Sequence, residues 1–237
     1  MSVQLETSPR PQLSIGSAVS LRGGVQMPLL GLGTWQLAEG GVAKGSVAAA
    51  LAAGYRMIDT AAGYQNEGEI GAALAEMLGS EGGPSRGSIF ITTKLPWGNA
   101  GPNAHSADGV IAALEGQLAK LRLEYVDLYL VHTPKGGHIV DTWRGMLAAK
   151  ARGLVRAVGV SNFSVAHMEA MKAAGLEAPE VVQNELHVWH QQRRLLAYCE
   201  AEGVAVTGYC PLGRGAERDV PPLAPIAAAH GKTTAQV

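Results

Sequence analysis

Val126-Asp127-Leu128-Tyr129-Leu130-Val131-His132 is a short apolar run that ends in a histidine, and it decides the fold together with two similar runs. Met57-Ile58-Asp59 and Ile89-Phe90-Ile91-Thr92-Thr93-Lys94 are built the same way, each closed by an ionisable side chain. Tyr64 follows on the loop leaving the first of these. Runs of this length, rich in β-branched and aromatic residues, read as buried strands. Where strands alternate with helices, their carboxyl ends open on one face, and polar groups placed there converge. An acid, a phenol, an ammonium and an imidazole gathered in this way form a proton-transfer device.

The same beat continues on both sides. Strand-like runs fall at residues 56–60, 89–95, 126–132, 157–160, 181–183 and 204–209. Helical stretches fall at residues 43–53, 67–78, 108–121, 142–150, 165–174 and 191–202. A hairpin is expected before them, with strands at residues 18–21 and 25–29 around Gly23-Gly24, followed by a short strand at residues 30–33. Gly54, Gly79, Gly153, Gly175 and Gly203 each follow an apolar-periodic segment, the usual place for the left-handed residue that ends a helix. These runs indicate parallel βαβ units and give seven such strands. A doubly wound sheet accepts almost any number of strands, whereas a (β/α)₈ barrel requires eight. Two observations favour the barrel. The reactive residues come from several successive strands, and Gly31-Leu32-Gly33 does not complete a dinucleotide fingerprint because residue 36 is Gln.

The expected organisation is a disordered tail over residues 1–17 and one TIM-type barrel domain over residues 18–237. Near the end, residues 225–230 read as a short helix and Gly231-Lys232 as a break. Thr233 or Thr234 then N-caps a helix that stops within one turn. No eighth strand follows, so the chain reads as a (β/α)₈ barrel with its last strand and C-terminal helices missing. A strand with about four buried apolar side chains contributes about 6–12 kcal/mol at ~1.5–3 each. That is comparable to the whole stability of a domain, about 5–15 kcal/mol.

Composition narrows the function. The 237 residues carry a net charge of −1 with signs mixed throughout, which argues against nucleic acid or an anionic membrane as partner. No apolar run approaches a membrane span, and the polar N-terminus lacks the apolar core of a signal peptide, so a cytoplasmic protein is expected. Cys199 and Cys210 are too few for a disulfide framework. His187, His190 and Cys199 lack credible metal-ligand spacing, and no metal is expected. Gly231-Lys232-Thr233 fails as a phosphate-binding loop because residue 226 is Ile.

Gly31-Leu32-Gly33-Thr34-Trp35, Asp59-Thr60-Ala61 with Tyr64 and Asn66-Glu67, Thr92-Thr93-Lys94-Leu95 and Asp127 to His132 stand in this order along the chain. In these motifs the chain resembles the aldo-keto reductases, NADPH-dependent (β/α)₈-barrel carbonyl reductases. Met27-Pro28 and Gly31-Leu32-Gly33-Thr34-Trp35 look like the family's opening strand. Asp59-Thr60-Ala61, Tyr64 and Asn66-Glu67 resemble its signature, while Thr92-Thr93-Lys94-Leu95 and Asp127 to His132 resemble its lysine and histidine strands. Gly159-Val160-Ser161-Asn162-Phe163, Gln183-Asn184-Glu185-Leu186-His187 and Tyr209-Cys210-Pro211-Leu212-Gly213 continue the match. The chain departs from the pattern at Cys210, where serine is common, and at Trp97, displaced by one residue because Pro96 intervenes. The segment after His132 is also short. The family continues past Val237 into an eighth strand, a basic segment that clamps the cofactor and a substrate-facing loop.

The resemblance implies roles. Tyr64 is the general acid, Lys94 the cation that lowers its pKa, Asp59 the carboxylate paired with Lys94, and His132 the group that orients the substrate oxygen. Ser161, Asn162 and Gln183 would bind the nicotinamide carboxamide, with Tyr209 stacked on the ring. Gly33, Thr34, Asp59, Cys210, Pro211, Leu212 and Gly213 complete the implied cofactor set. Trp35, Tyr64, Trp97 and His132 would line the substrate pocket. NADPH is the implied cofactor, with NADH also open, and a small carbonyl compound is the implied partner. A monomer is expected, with open barrel edges as a route to association.

Taken singly, each residue has a commonplace role: Asp59 as a turn residue, Lys94 solvated, Tyr64 as packing, His132 in the core. Ser161-Asn162 could serve as a helix cap, and Arg214 and Arg218 as solvated loop charges. Their order within matching motifs favours the catalytic assignment. The rival is a non-enzymatic relative, either a nucleotide-binding regulatory subunit or an inactive truncated product.

Overall fold

A computed structural model describes residues 13–38, 40–97, 104–215 and 222–237. The hairpin forms first, β1 (Ala18–Ser20) antiparallel to β2 (Gln26–Pro28). There follow β3 (Leu32–Gly33), α1 (Val42–Ala52), β4 (Met57–Asp59), α2 (Glu67–Gly79), β5 (Phe90–Leu95), α3 (Ala107–Leu121) and β6 (Val126–Val131). The chain continues through α4 (Ile139–Ala151), β7 (Val155–Ser161), α5 (Val165–Ala173), β8 (Val181–Glu185), α6 (Arg193–Glu202), β9 (Ala205–Tyr209) and α7 (Leu223–Ala229). Strands β3 to β9 pair in sequence order, all parallel, in one seven-stranded sheet that curls into a nearly closed barrel. Among the described residues β3 and β9 are its two edges. Of the tail expected over residues 1–17, residues 1–12 lie outside the described residues. Residues 14–17 form a turn closed by the Ser17 amide on the Ser14 carbonyl.

Strand alternation sorts the side chains. One set of strand positions packs outward against the helices: Ile58, Ile91, Tyr129, Val158 and Val182 belong to the large core shared with Val47, Ile70, Leu114 and Met146. The alternate set faces the barrel interior. Its amino-terminal members, Met57, Phe90, Leu128, Leu130, Ala157 and Val181, pack on Leu21, Val25 and Met27 of the hairpin, which closes that end. Backbones come close here: a Cβ on Gly159 would sit 2.3 Å from the Val181 carbonyl oxygen. Two residues further along each strand, the same inward register delivers Asp59, Thr92, Gln183 and Thr207. The hairpin is tied down by the Arg22 guanidinium, which donates to the carbonyls of Ala178 and Pro179, and by the Gly23 amide, which donates to Glu180.

Most of the expected ends are close to those observed, with two differences. Gly54, Gly153, Gly175 and Gly203 take positive φ past their helices, but Gly79 is the last helical residue of α2, and the chain leaves through extended Ser80. Ser161 and Asn162 do not cap α5. That cap is Ser164, in a reciprocal pair with His167.

Candidate active site

The inward register ends at the carboxyl rim, where it places ionisable groups in place of apolar ones. Asp59 closes β4, and a 3₁₀ turn over Ala62–Tyr64 brings the phenol back over it. The turn is held from beneath by Asn66, whose amide donates to the carbonyls of Thr34 (2.8 Å) and Leu37 (3.1 Å) while accepting from Thr60 Oγ1. Lys94, almost wholly buried on β5, donates to Asp59 Oδ1 (2.5 Å), the Thr60 carbonyl (2.9 Å) and the Tyr64 hydroxyl (3.3 Å). A buried ammonium needs such a carboxylate, because desolvating an unpaired charge is costly. His132 follows β6, with its ring edge-on to Tyr64 at 5.7 Å between centroids.

These four groups line one cleft of about 440 Å³. The same cleft is lined by Trp35 and Trp97 on one side and by Ser161, Asn162, Gln183 and Tyr209 on another. Gly33, Cys210 and Pro211 complete the expected set within it. Three expected residues lie elsewhere. Thr34 is fully buried and spends its hydroxyl on the Asp59 carbonyl at 3.1 Å. Leu212 and Gly213 line a neighbouring groove of about 730 Å³ that shares Pro211 with the cleft.

Electrostatics departs from the sequence expectation in one respect. Tyr64 was expected to be lowered by Lys94. In the structure the phenol is held well above its ordinary value, first by burial, then by the Asp59 carboxylate and by Cys210. Although the ammonium lies 3.3 Å away, the carboxylate at 2.5 Å neutralises it, so burial prevails. Tyr64 therefore keeps its proton across neutral pH. His132 is pushed down to about 3, by burial first and by Lys94 second, and its imidazole is neutral.

Several contacts have no local sequence signal. Gln183 reaches across the barrel and donates to Asp59 Oδ2 at 2.7 Å, which leaves its Oε1 end for another partner. Asn162, in the left-handed region at φ 62°, donates to the His132 carbonyl and accepts from the Tyr209 hydroxyl at 2.7 Å. Its amide thus ties three rim residues together. Arg214 lines the cleft as well, its guanidinium 5.1 Å over the Trp35 ring and 3.6 Å from Glu185, rather than standing free as a loop charge. Behind Lys94, Gln117 donates to its carbonyl (3.0 Å) and to Glu67 (2.8 Å), and accepts from Tyr129.

The aldo/keto reductase family pattern matches residues 29–220. The chain belongs to the aldo/keto reductase family. An uncharacterized oxidoreductase of Bacillus subtilis, YtbE, is 39% identical over 219 residues, 92% of this chain and 76% of that protein. Aldo-keto reductase family 1 member A1 of Pongo abelii is 41% identical over 217 residues, and the match spans 83% of this chain and 65% of that relative's length. Among solved structures, an aldo/keto reductase from Brucella melitensis superimposes with a TM-score of 0.82 at 37% identity, covering 93% of this chain and 81% of its own. A Bombyx mori aldo-keto reductase in complex with NADP gives 0.80 at 32% identity, covering 92% and 77%. No helix among the described residues of this aldo/keto reductase is long and apolar enough to cross a membrane.

Proposed function

We propose that this aldo/keto reductase reduces aldehydes or ketones to alcohols with NADPH, and that Tyr64 supplies the proton. The observation that carries this is the contiguous chain Asp59–Lys94–Tyr64 with His132 at its end, all on the rim of one cleft. The rim also suits the cofactor. Ser161 and Gln183 offer a hydroxyl and a free amide oxygen to a carboxamide, which has both donor and acceptor ends, and the Tyr209 ring stands on the same wall. NADPH, when bound, supplies the hydride that reaches the carbonyl carbon. The Bombyx mori relative solved with NADP supports that choice of cofactor.

The remaining work belongs to the chain. Neutral His132 keeps one N–H to donate to the carbonyl oxygen and cannot itself give up a second proton at neutral pH. As negative charge grows on that oxygen, the Tyr64 proton moves to it and the alcohol forms. The phenolate left behind is stabilised by Lys94, whose ammonium already contacts the hydroxyl. A phenol that keeps its proton until an alkoxide forms is suited to this task, since it is charged with its proton before every cycle. The apolar faces of Trp35 and Trp97 favour carbonyl compounds with an aromatic or aliphatic body.

The test is turnover. Purified protein, NADPH and 4-nitrobenzaldehyde should give NADPH oxidation with the alcohol as product in equal amount. Folded protein that binds NADPH and yields no alcohol from any of a panel of aldehydes and ketones would instead favour a nucleotide-binding regulatory role.

A further inference from the structure

Among the described residues, His132 lacks the support that usually fixes a working imidazole. One ring nitrogen commonly donates to a carboxylate or a carbonyl, which sets tautomer and orientation. Here, among the described residues, His132 Nδ1 is buried and has no hydrogen-bond partner. What the ring has is Trp97. The indole lies nearly parallel to the imidazole, 4.3 Å between centroids at 30°. Tyr64 meets the ring edge-on at 5.7 Å, so the ring is covered on a face and met from the side.

Trp97 occupies this place because residue 63 is glycine. A Cβ on Gly63 would lie 3.1–3.3 Å from Cε2, Cζ2 and Nε1 of the indole, closer than ordinary packing. The indole is therefore wedged between the root of the Tyr64 turn and the His132 ring. Pro96, with its fixed φ, holds the chain just before it. Trp97 is itself 52% exposed, while His132 beneath it is 5% exposed. The indole thus separates the imidazole from water.

We propose that Trp97 is a positioning residue acting through His132: its indole, seated in the notch at Gly63, orients and dries the imidazole in place of a hydrogen bond. This rests on the reading of His132 as the group that orients the substrate oxygen. Lys94 from β5 and Tyr64 from the turn after β4 face the ring in the cleft. His105 from the segment before α3 and Lys135 from the loop after β6 line the small cavity that His132 and Trp97 share. Asp59 is taken up by Lys94 and Gln183. The groups around the ring thus disfavour an imidazolium, and burial beneath the indole adds to this.

The test is an NMR titration of the imidazole carbon-bound protons in wild type, Trp97→Ala and Trp97→Phe, with the His132 signal assigned from His132→Gln. The half-exposed site makes Trp97→Ala compatible with folding, and near-UV circular dichroism checks this. In wild type, His132 should not titrate between pH 5 and 8. In Trp97→Ala its midpoint should move up into that window, toward the ordinary value of about 6.5. Trp97→Phe, which keeps an aromatic plate, should restore most of the wild-type behaviour. In parallel, Trp97→Ala should lower kcat for a short aldehyde such as propanal, which needs no wall, as well as raise KM for a bulky one. Two results would overturn the proposal: a His132 that remains silent in Trp97→Ala while only bulky aldehydes lose affinity, or a wild-type His132 that already titrates near 6.5. Because the titration needs no turnover, a protein inactive toward all aldehydes would break the reading of His132 while leaving the Trp97 coupling measurable.

Discussion

The two ends of the barrel interior are built from the same inward-facing strand positions and share almost nothing chemically. At the amino-terminal end, Met57, Phe90, Leu130 and Val181 meet the hairpin and exclude water. At the carboxyl end, two to four residues later on the same strands, Asp59, Lys94, His132 and Gln183 meet one another. The floor gains from apolar burial, and its residues are interchangeable with others of similar volume. The rim buries charge, and its Asp59–Lys94 pair is tolerated because each partner offsets the other's desolvation. The two ends are therefore held by different forces, and substitutions at the two ends should fail differently.

The strongest contrast comes from Lys94→Met, which leaves Asp59 facing a buried thioether. The loss should be about 3–5 kcal/mol by urea denaturation, and the double variant with Asp59→Leu should recover much of it. Equal stability of the single and double variants would mean that the rim pair is not coupled. At the floor, Leu130→Ala should cost about 2–5 kcal/mol through its cavity. Its NADPH affinity, read by quenching of tryptophan fluorescence, should be unchanged while the protein is folded. A floor variant that weakens NADPH as much as a rim variant would erase the division between the two ends. Gln183→Leu should weaken cofactor binding as well as stability: NADPH Kd rises about tenfold, the value of about one hydrogen bond, with a stability loss of about 1–3 kcal/mol from the Asp59 oxygen left without its donor.

The smallest effect concerns Glu67, behind the rim. Its carboxyl is held above its ordinary value by burial, against the hydrogen bonds from Gln117 and Thr93. A raised folded-state pKa means that the folded protein holds its proton longer than the unfolded chain. The related stability is fully present below the unfolded value and fades as pH rises through the folded one. Glu67→Gln should remove that fading, so the difference in Tm, variant minus wild type, grows from pH 4 to pH 8. A difference that shrinks over that range would contradict the assignment.

The strands and their order were legible because a parallel strand packed on both faces reads as a short continuous apolar run between helical stretches. That Asp59, Tyr64, Lys94 and His132 share one cleft was legible for a related reason: each ends or follows a recognisable strand, so topology alone brings them to one rim. Contacts between distant segments were not. Gln183 and Asp59 are 124 residues apart, and nothing local to either marks their hydrogen bond. Gly63 looks like any loop glycine until Trp97 is seen lying on it. The acidity of Tyr64 was misjudged from sequence because a nearby ammonium was counted and its neutralisation by Asp59 was not. Ser161-Asn162 suggested a cap because both residue types cap helices, yet the chain runs on to Ser164 before α5 begins.

The central claim is that Tyr64 delivers the proton while the rest of the rim holds it in place. Tyr64→Phe removes one oxygen and leaves the ring, the Lys94–Asp59 pair and the cofactor wall intact. Wild type and variant should bind NADPH with the same Kd and melt within a few degrees of each other. With 4-nitrobenzaldehyde the variant's kcat should fall by about 10²–10⁴, the usual contribution of a positioned general acid. An unchanged kcat in the variant, with NADPH bound and the protein folded, would contradict the assignment of the proton to Tyr64.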